Sequence, residues 1–271
     1  MGHRGVFCRV AALVVSGLAT AALAGCGGAS SGAAGTERTL TVFAAASLTD
    51  AFGELAAIFE ERNPGVEVHQ SFESSATLLT QLRQGARADV FASAAEDEMN
   101  AAEDDGLVAD EPEVFVTNRE VVMVPDGNPA DIRRLRDLAR PGVKLVLAAE
   151  GVPAADYAVE ILDNANARYG SGYKRQVLSN VVSREADVRA SVNRVALGDA
   201  DATFAYASDH TPDTRERVEI IEIPEALNIV ATYPIAVLKD ADRQELARQW
   251  LELVTGQEGQ RTLEKWGFEP A

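Results

Sequence analysis

The sequence predicts an α/β fold with a largely parallel sheet, and three observations carry that reading. Short β-rich runs alternate with helical ones from about residue 38 onward, the order that builds parallel strands joined through helices. Leu48, Phe52, Leu55 and Phe59 recur at offsets of four, three and four, which places them on one face of a helix. Of 271 residues, 46% are apolar and 25% charged, enough for a sizeable core and outside the range of disordered or multi-span membrane chains.

Residues 40–45 form the first predicted strand. The helix that starts at Leu48 ends ahead of Asn63-Pro64-Gly65, a turn sequence that stops it. A second strand covers 66–72, Leu78, Leu79 and Leu82 mark a short helix closed by Gly85, and 89–92 is a third strand. The helix at 96–105 carries Glu96-Asp97-Glu98 and Glu103-Asp104-Asp105, a solvated acidic face. A long β-rich stretch covers 114–124 and a buried strand 143–148, with helices at 154–169 and 188–197. Strands follow at 202–206, 218–223 and 229–238, and helices at 241–255 and 257–266 close the chain. Trp250, Leu251 and Leu253 read as core residues of the first of these helices.

Residues 1–25 read as an export signal. Arg4 and Arg9 form a short basic region, and 10–24 is an apolar run too short to span a bilayer comfortably. It ends in Leu23-Ala24-Gly25-Cys26, which resembles a bacterial lipobox and predicts lipidation of Cys26. Cys26 is the only cysteine beyond the signal, so no disulfide partner awaits it in an oxidising compartment. Residues 26–37 then give the lipidated cysteine and a flexible Gly/Ser/Ala tether. The expected location is outside the cytoplasm, anchored by lipid to the outer face of the cytoplasmic membrane.

The 25 basic and 42 acidic residues give a net charge of −17, and losing the two arginines of the signal takes it to −19. A sequence-independent grip on nucleic acid is excluded on that balance. An anionic ligand would have to be held by local groups against the global field. Such groups are available at the helix starts. Ser47 stands where an N-cap serine belongs, with Asp50 three residues on; Ser74-Ser75 precedes the Leu78 helix; Pro153 and Asp187 precede two more. In open α/β sheets these junctions lie at the carboxyl ends of the strands, where free N–H groups and helix dipoles favour an oxyanion.

The segment Thr41-Val42-Phe43-Ala44-Ala45-Ala46-Ser47-Leu48-Thr49-Asp50-Ala51 resembles the opening of the periplasmic molybdate-binding proteins of ABC importers. Further blocks agree with that family in the same order: Ser71-Phe72-Glu73-Ser74-Ser75, Gln84-Gly85-Ala86-Arg87-Ala88-Asp89, Val152-Pro153-Ala154 with Tyr157, Asp187-Val188-Arg189, Tyr206-Ala207-Ser208-Asp209 and Tyr233-Pro234-Ile235. The similarity runs from about Leu40 to Phe268. It implies a two-lobed type II periplasmic binding protein fold, each lobe a mostly parallel sheet flanked by helices, with two hinge crossovers. Lobe 1 would be 38–117 plus 225–271 and lobe 2 would be 118–224, with 114–124 and 222–233 as the hinge regions.

The resemblance also implies the ligand and its contacts. Ser47 and Ser75 would bind molybdate or tungstate through hydroxyl and backbone N–H, Ala154 and Val188 through backbone N–H, and Tyr206 through its phenol. Neither lysine nor arginine is among them, no residue ligates a metal cation directly because the molybdenum is bound as its oxyanion, and no cofactor is expected. A monomer would hand the anion to an ABC permease and its ATPase subunit. Glu73, and Ala155 with Asp156, depart from the family pattern and bear on selectivity, so sulfate or phosphate is the alternative ligand. A surface hydrolase is poorly supplied. His69 and His210 alone follow the signal, neither belongs to a His-x-x-x-His or Gly-x-Ser-x-Gly pattern, and no P-loop pattern is present.

Overall fold

A computed structural model describes residues 38–271, so the predicted signal, Cys26 and the tether lie outside the described residues. The apolar run near the start becomes β1 (Arg38–Ala45), which lies between β2 (Val66–Glu73) and β3 (Val90–Ala92), parallel to both. Parallel neighbours need crossover connections. Here α1 (Thr49–Arg62) and α2 (Ser75–Arg83) supply them, and α3 (Glu96–Asp104) follows β3. A second parallel set has β5 (Leu145–Ala148) between β6 (Val181–Glu185) and β7 (Ala202–Tyr206). Its connections are α4 (Pro153–Tyr169) with α5 (Tyr173–Leu178), then α6 (Val188–Ala196).

The strand β4 (Glu113–Pro125) joins the two sets. Its first part, to Arg119, pairs antiparallel with β9 (Val230–Val237), which also pairs with β3. From Glu120 onward β4 pairs antiparallel with β7 on one side and β8 (Val218–Glu222) on the other. The strand order is β2-β1-β3-β9-β4-β7-β5-β6, with β8 and the short β10 (Glu269–Pro270) also on β4. Parallel pairing therefore holds within each set, while the strands that join the sets run antiparallel.

Burial explains why these segments are strands and helices. Val121, Val122, Met123 and Val124 in β4 are all fully buried, a continuous apolar run typical of a strand covered on both faces. The helix α7 (Gln244–Thr255) turns Leu246, Ala247, Trp250, Leu253 and Val254 inward at helical spacing, and α8 (Gln257–Lys265) follows it. Trp250 meets Phe52 and Phe59 edge-on, each at 5.5 Å between ring centres. Burial of side chains this large contributes several kcal/mol in total at about 25 cal/mol per Å². A second apolar cluster gathers Val122, Leu145, Leu147, Ile161, Leu162 and Phe204 around the β5 set. Among the described residues, no helix is long and apolar enough to cross a membrane.

Candidate functional site

Five chain junctions converge where the strand sets meet. The end of β1 and the starts of α2, α4 and α6, with the end of β7, enclose a narrow cleft that is partly open to solvent. All five sequence-predicted positions, Ser47, Ser75, Ala154, Val188 and Tyr206, line it. Each is buried, at 5% exposure or less. Ser74, Ala94, Pro153 and Asp187 complete much of the wall, and no lysine or arginine side chain contributes to it.

Local sequence explains the donors presented there. Ser75 is the first residue of α2, Ala154 the second of α4 and Val188 the first of α6, so their N–H groups have no acceptor within the helix. No other protein acceptor takes them among the described residues. Pro153, at the first position of α4, lacks an N–H that would in any case go unused. Ser74 caps α2 by accepting from Thr77 N–H at 3.1 Å, and Asp187 caps α6 by accepting from Ala190 N–H at 2.9 Å. Ser75 Oγ accepts from Ala94 N–H at 3.0 Å, which leaves its own proton free to donate.

Ser47 departs from the expected N-cap. It lies within a 3₁₀ turn, Ala46–Leu48, and α1 starts after Leu48 with no side-chain cap. Its hydroxyl instead shares a hydrogen bond with the Tyr233 phenol at 2.9 Å. A buried long-range partner outcompetes a local cap, and the 3₁₀ turn moves the helix start beyond the reach of the serine.

Tyr206 is 1% exposed, and its phenol oxygen meets no hydrogen-bond partner. Its ring packs edge-on against Tyr233 at 5.8 Å. Burial holds both phenols well above the usual tyrosine range, so each keeps its proton. An unpaired buried hydroxyl is costly, and an acceptor in the cleft would satisfy this one. The wall is thus supplied with neutral donors.

The one cation close by is already engaged. Arg189 follows Val188, is ion-paired with Asp50 of α1, and has Nε 3.1 Å from Asp209 Oδ1. That second contact is close enough for an ion pair but is not aligned as a hydrogen bond. Asp209 also accepts from Tyr206 N–H at 3.1 Å, and burial, opposed by Arg189, pushes its carboxyl up to about 6. Glu73 ends β2, half-buried, and is not among the residues that line the cleft. Asp156 sits in the first turn of α4, where it accepts weakly from Gly151 N–H at 3.3 Å. Ala155 beside it is buried. No group of three or more histidines or carboxylates is placed to hold a metal cation among the described residues.

Sequence reasoning missed Tyr233 as the partner of Ser47, although Tyr233-Pro234 stood in one of the matched blocks. It also missed Glu120, which follows Arg119 directly between the apolar segments 114–116 and 121–124 of β4. A buried acid at the edge of that second apolar run was the signal for it.

A donor-lined cleft between α/β strand sets is the architecture of a solute receptor, and the chain belongs to the bacterial extracellular solute-binding proteins, whose family model matches residues 40–269. It is 40% identical over 260 residues to the molybdate-binding protein ModA of Mycobacterium tuberculosis strain H37Rv, covering 94% of this chain and 95% of that one. Its fold matches the periplasmic molybdate-binding protein of Azotobacter vinelandii with a TM-score of 0.72 at 17% identity, over 86% of this chain and 99% of the other. It also matches the sulfate-binding protein SubI of M. tuberculosis with a TM-score of 0.78 at 19% identity, over 86% and 87% respectively.

Proposed function

We propose that the protein captures molybdate, and tungstate by the same chemistry, in the cleft between the strand sets and delivers it to an ABC permease powered by a separate ATPase subunit. The observation that carries this reading is the convergence of Ser47, Ser75, Ala154, Val188 and Tyr206 on one buried cleft that offers donors and no free cation. The 40% identity to a molybdate-binding relative supports the choice of ligand. Hydrogen bonds to a charged group contribute about 1.5–3 kcal/mol each. Six or seven of them are adequate for affinity near the nanomolar level, roughly 12 kcal/mol. With the Asp187 carboxylate of the wall engaged by Ala190 N–H, a site built on donors favours a fully deprotonated dianion over hydrogen phosphate, whose proton needs an acceptor.

On this reading the protein is a receptor without catalytic activity. Residues 38–117 with 225–271, and residues 118–224, act as two lobes, with 114–124 and 222–233 as the crossovers between them. The change of partners along β4 at Arg119 and Glu120 supports that division. Cys26 carries the lipid that anchors a monomer to the outer face of the cytoplasmic membrane. Because ligand positions come from both strand sets, the anion favours the closed arrangement in proportion to its contacts with each.

Titration calorimetry of the Ser47→Ala and Ser75→Ala variants tests the site. Each should bind molybdate more weakly by at least about 1.5 kcal/mol. Unchanged affinity in both would remove the serines from the site.

A further inference from the structure

Glu120 occupies the point where β4 changes partners. Arg119 is the last residue opposite β9, and Glu120 is the first opposite β7, where it faces Tyr206. Its side chain is completely buried, and neither carboxyl oxygen meets a hydrogen-bond partner. A buried polar group is ordinarily paired, and an ionised carboxylate removed from water without donors is far more costly than a neutral acid.

The surroundings reinforce the neutral form. Asp209, from the turn after β7, adds a like charge. Three phenols feel the Glu120 carboxyl: Tyr206 of β7, Tyr233 of β9 and Tyr157 of α4. Arg189 of α6 is committed to Asp50 and Asp209. No basic group pairs with Glu120 among the described residues, and the Asn228 amide donates to its backbone carbonyl, not its side chain. Burial and Asp209 together hold the carboxyl well above the usual carboxylate range. The same Tyr206 that feels Glu120 lines the cleft with a free phenol oxygen.

We propose that Glu120 is a proton-bearing positioning residue for the anion cleft: it is neutral whenever a doubly charged oxyanion is bound, so capture of the anion is linked to protonation of Glu120. The inference rests on the reading of the cleft as an oxyanion site. Its sign is fixed by charge. An ionised Glu120 repels the dianion across a poorly screened interior, and by reciprocity the bound dianion raises the proton affinity of Glu120. Once the solution is alkaline enough to ionise Glu120 in the empty protein, binding takes up one proton, and affinity falls by up to about tenfold per pH unit.

The test is calorimetric titration of the wild-type protein and Glu120→Gln with molybdate, from about pH 6 to about pH 10 at fixed ionic strength. Paired buffers of different ionisation enthalpy count the protons taken up. Glutamine keeps the size of the side chain and cannot ionise. Glu98 and Asp209, whose carboxyls burial pushes up to about 7 and about 6, are both ionised above about pH 8, so the two proteins are compared from there upward. The wild type is expected to lose affinity through the alkaline range and take up as much as one proton per anion, while Glu120→Gln shows neither effect. A wild type with constant affinity and no uptake, or a variant that shares its slope, overturns the proposal. If Glu120→Gln does not fold, the proton count of the wild type above about pH 8, beyond the range of Glu98 and Asp209, decides. If neither protein binds molybdate at any pH, the reading of the cleft fails and this inference fails with it, an outcome distinct from binding that is indifferent to pH.

Discussion

Tyr206 separates a binding role from a structural one within a single side chain. Its ring is locked against Tyr233, whereas its hydroxyl is buried without a partner. Tyr206→Phe should therefore weaken molybdate binding by about 1.5–3 kcal/mol and leave the ligand-free unfolding midpoint unchanged or slightly higher. Paired titration and thermal unfolding check both halves. Glu98 on α3 gives a pH prediction. Burial, with the charges of Asp156 and Asp97, lifts its carboxyl from 4.5 to about 7, and Oε2 lacks a partner. A folded value above the unfolded one means that its contribution is present below about pH 4.5 and is lost as pH rises to about 7. Glu98→Gln should match the wild type in acid and gain an advantage across that window, read by unfolding at several pH values. At this scale the small and hydroxylated residues at helix starts were legible, because local rules place them. Tyr233 and Glu120 were not, since their roles depend on neighbours far away in sequence.

Helix starts are the elements that build the cleft, and their caps hold it open to a ligand. Ser74 accepts from Thr77 N–H and thereby fixes the first turn of α2, whose leading residue is Ser75. Ser74→Ala should cost about 1 kcal/mol of stability, measured by urea unfolding. Ser47→Ala disturbs no cap, because the serine bonds to Tyr233. Long one-faced helices such as α1 and α7 were plain from apolar spacing. The six-residue α5 is too short to establish a period. The edge strand β6 alternates between half-buried and exposed positions, a weak pattern that periodicity did not separate from loop. Strand direction in β4 and β9 was equally hidden, because a fully buried apolar run reads the same whether its neighbours are parallel or antiparallel.

Across the whole molecule, a chain of net charge −17 carries a cleft proposed to hold a dianion. Neutral donors at short range reconcile the two: the protonated Tyr206 phenol, the serine hydroxyls and the uncommitted N–H groups of α2, α4 and α6. Their effect falls off within the cleft, so they retain an anion that the distant field would not attract. The central claim is therefore one of selectivity as well as affinity. It is tested most directly by thermal unfolding of the protein with molybdate, tungstate, sulfate and phosphate in turn, each far above the protein concentration. A ligand at about 1,000 times its Kd adds roughly 4 kcal/mol, a shift of several degrees in Tm. Molybdate and tungstate alone should raise the midpoint. A rise with sulfate or phosphate instead, or with none of the four, would contradict the account.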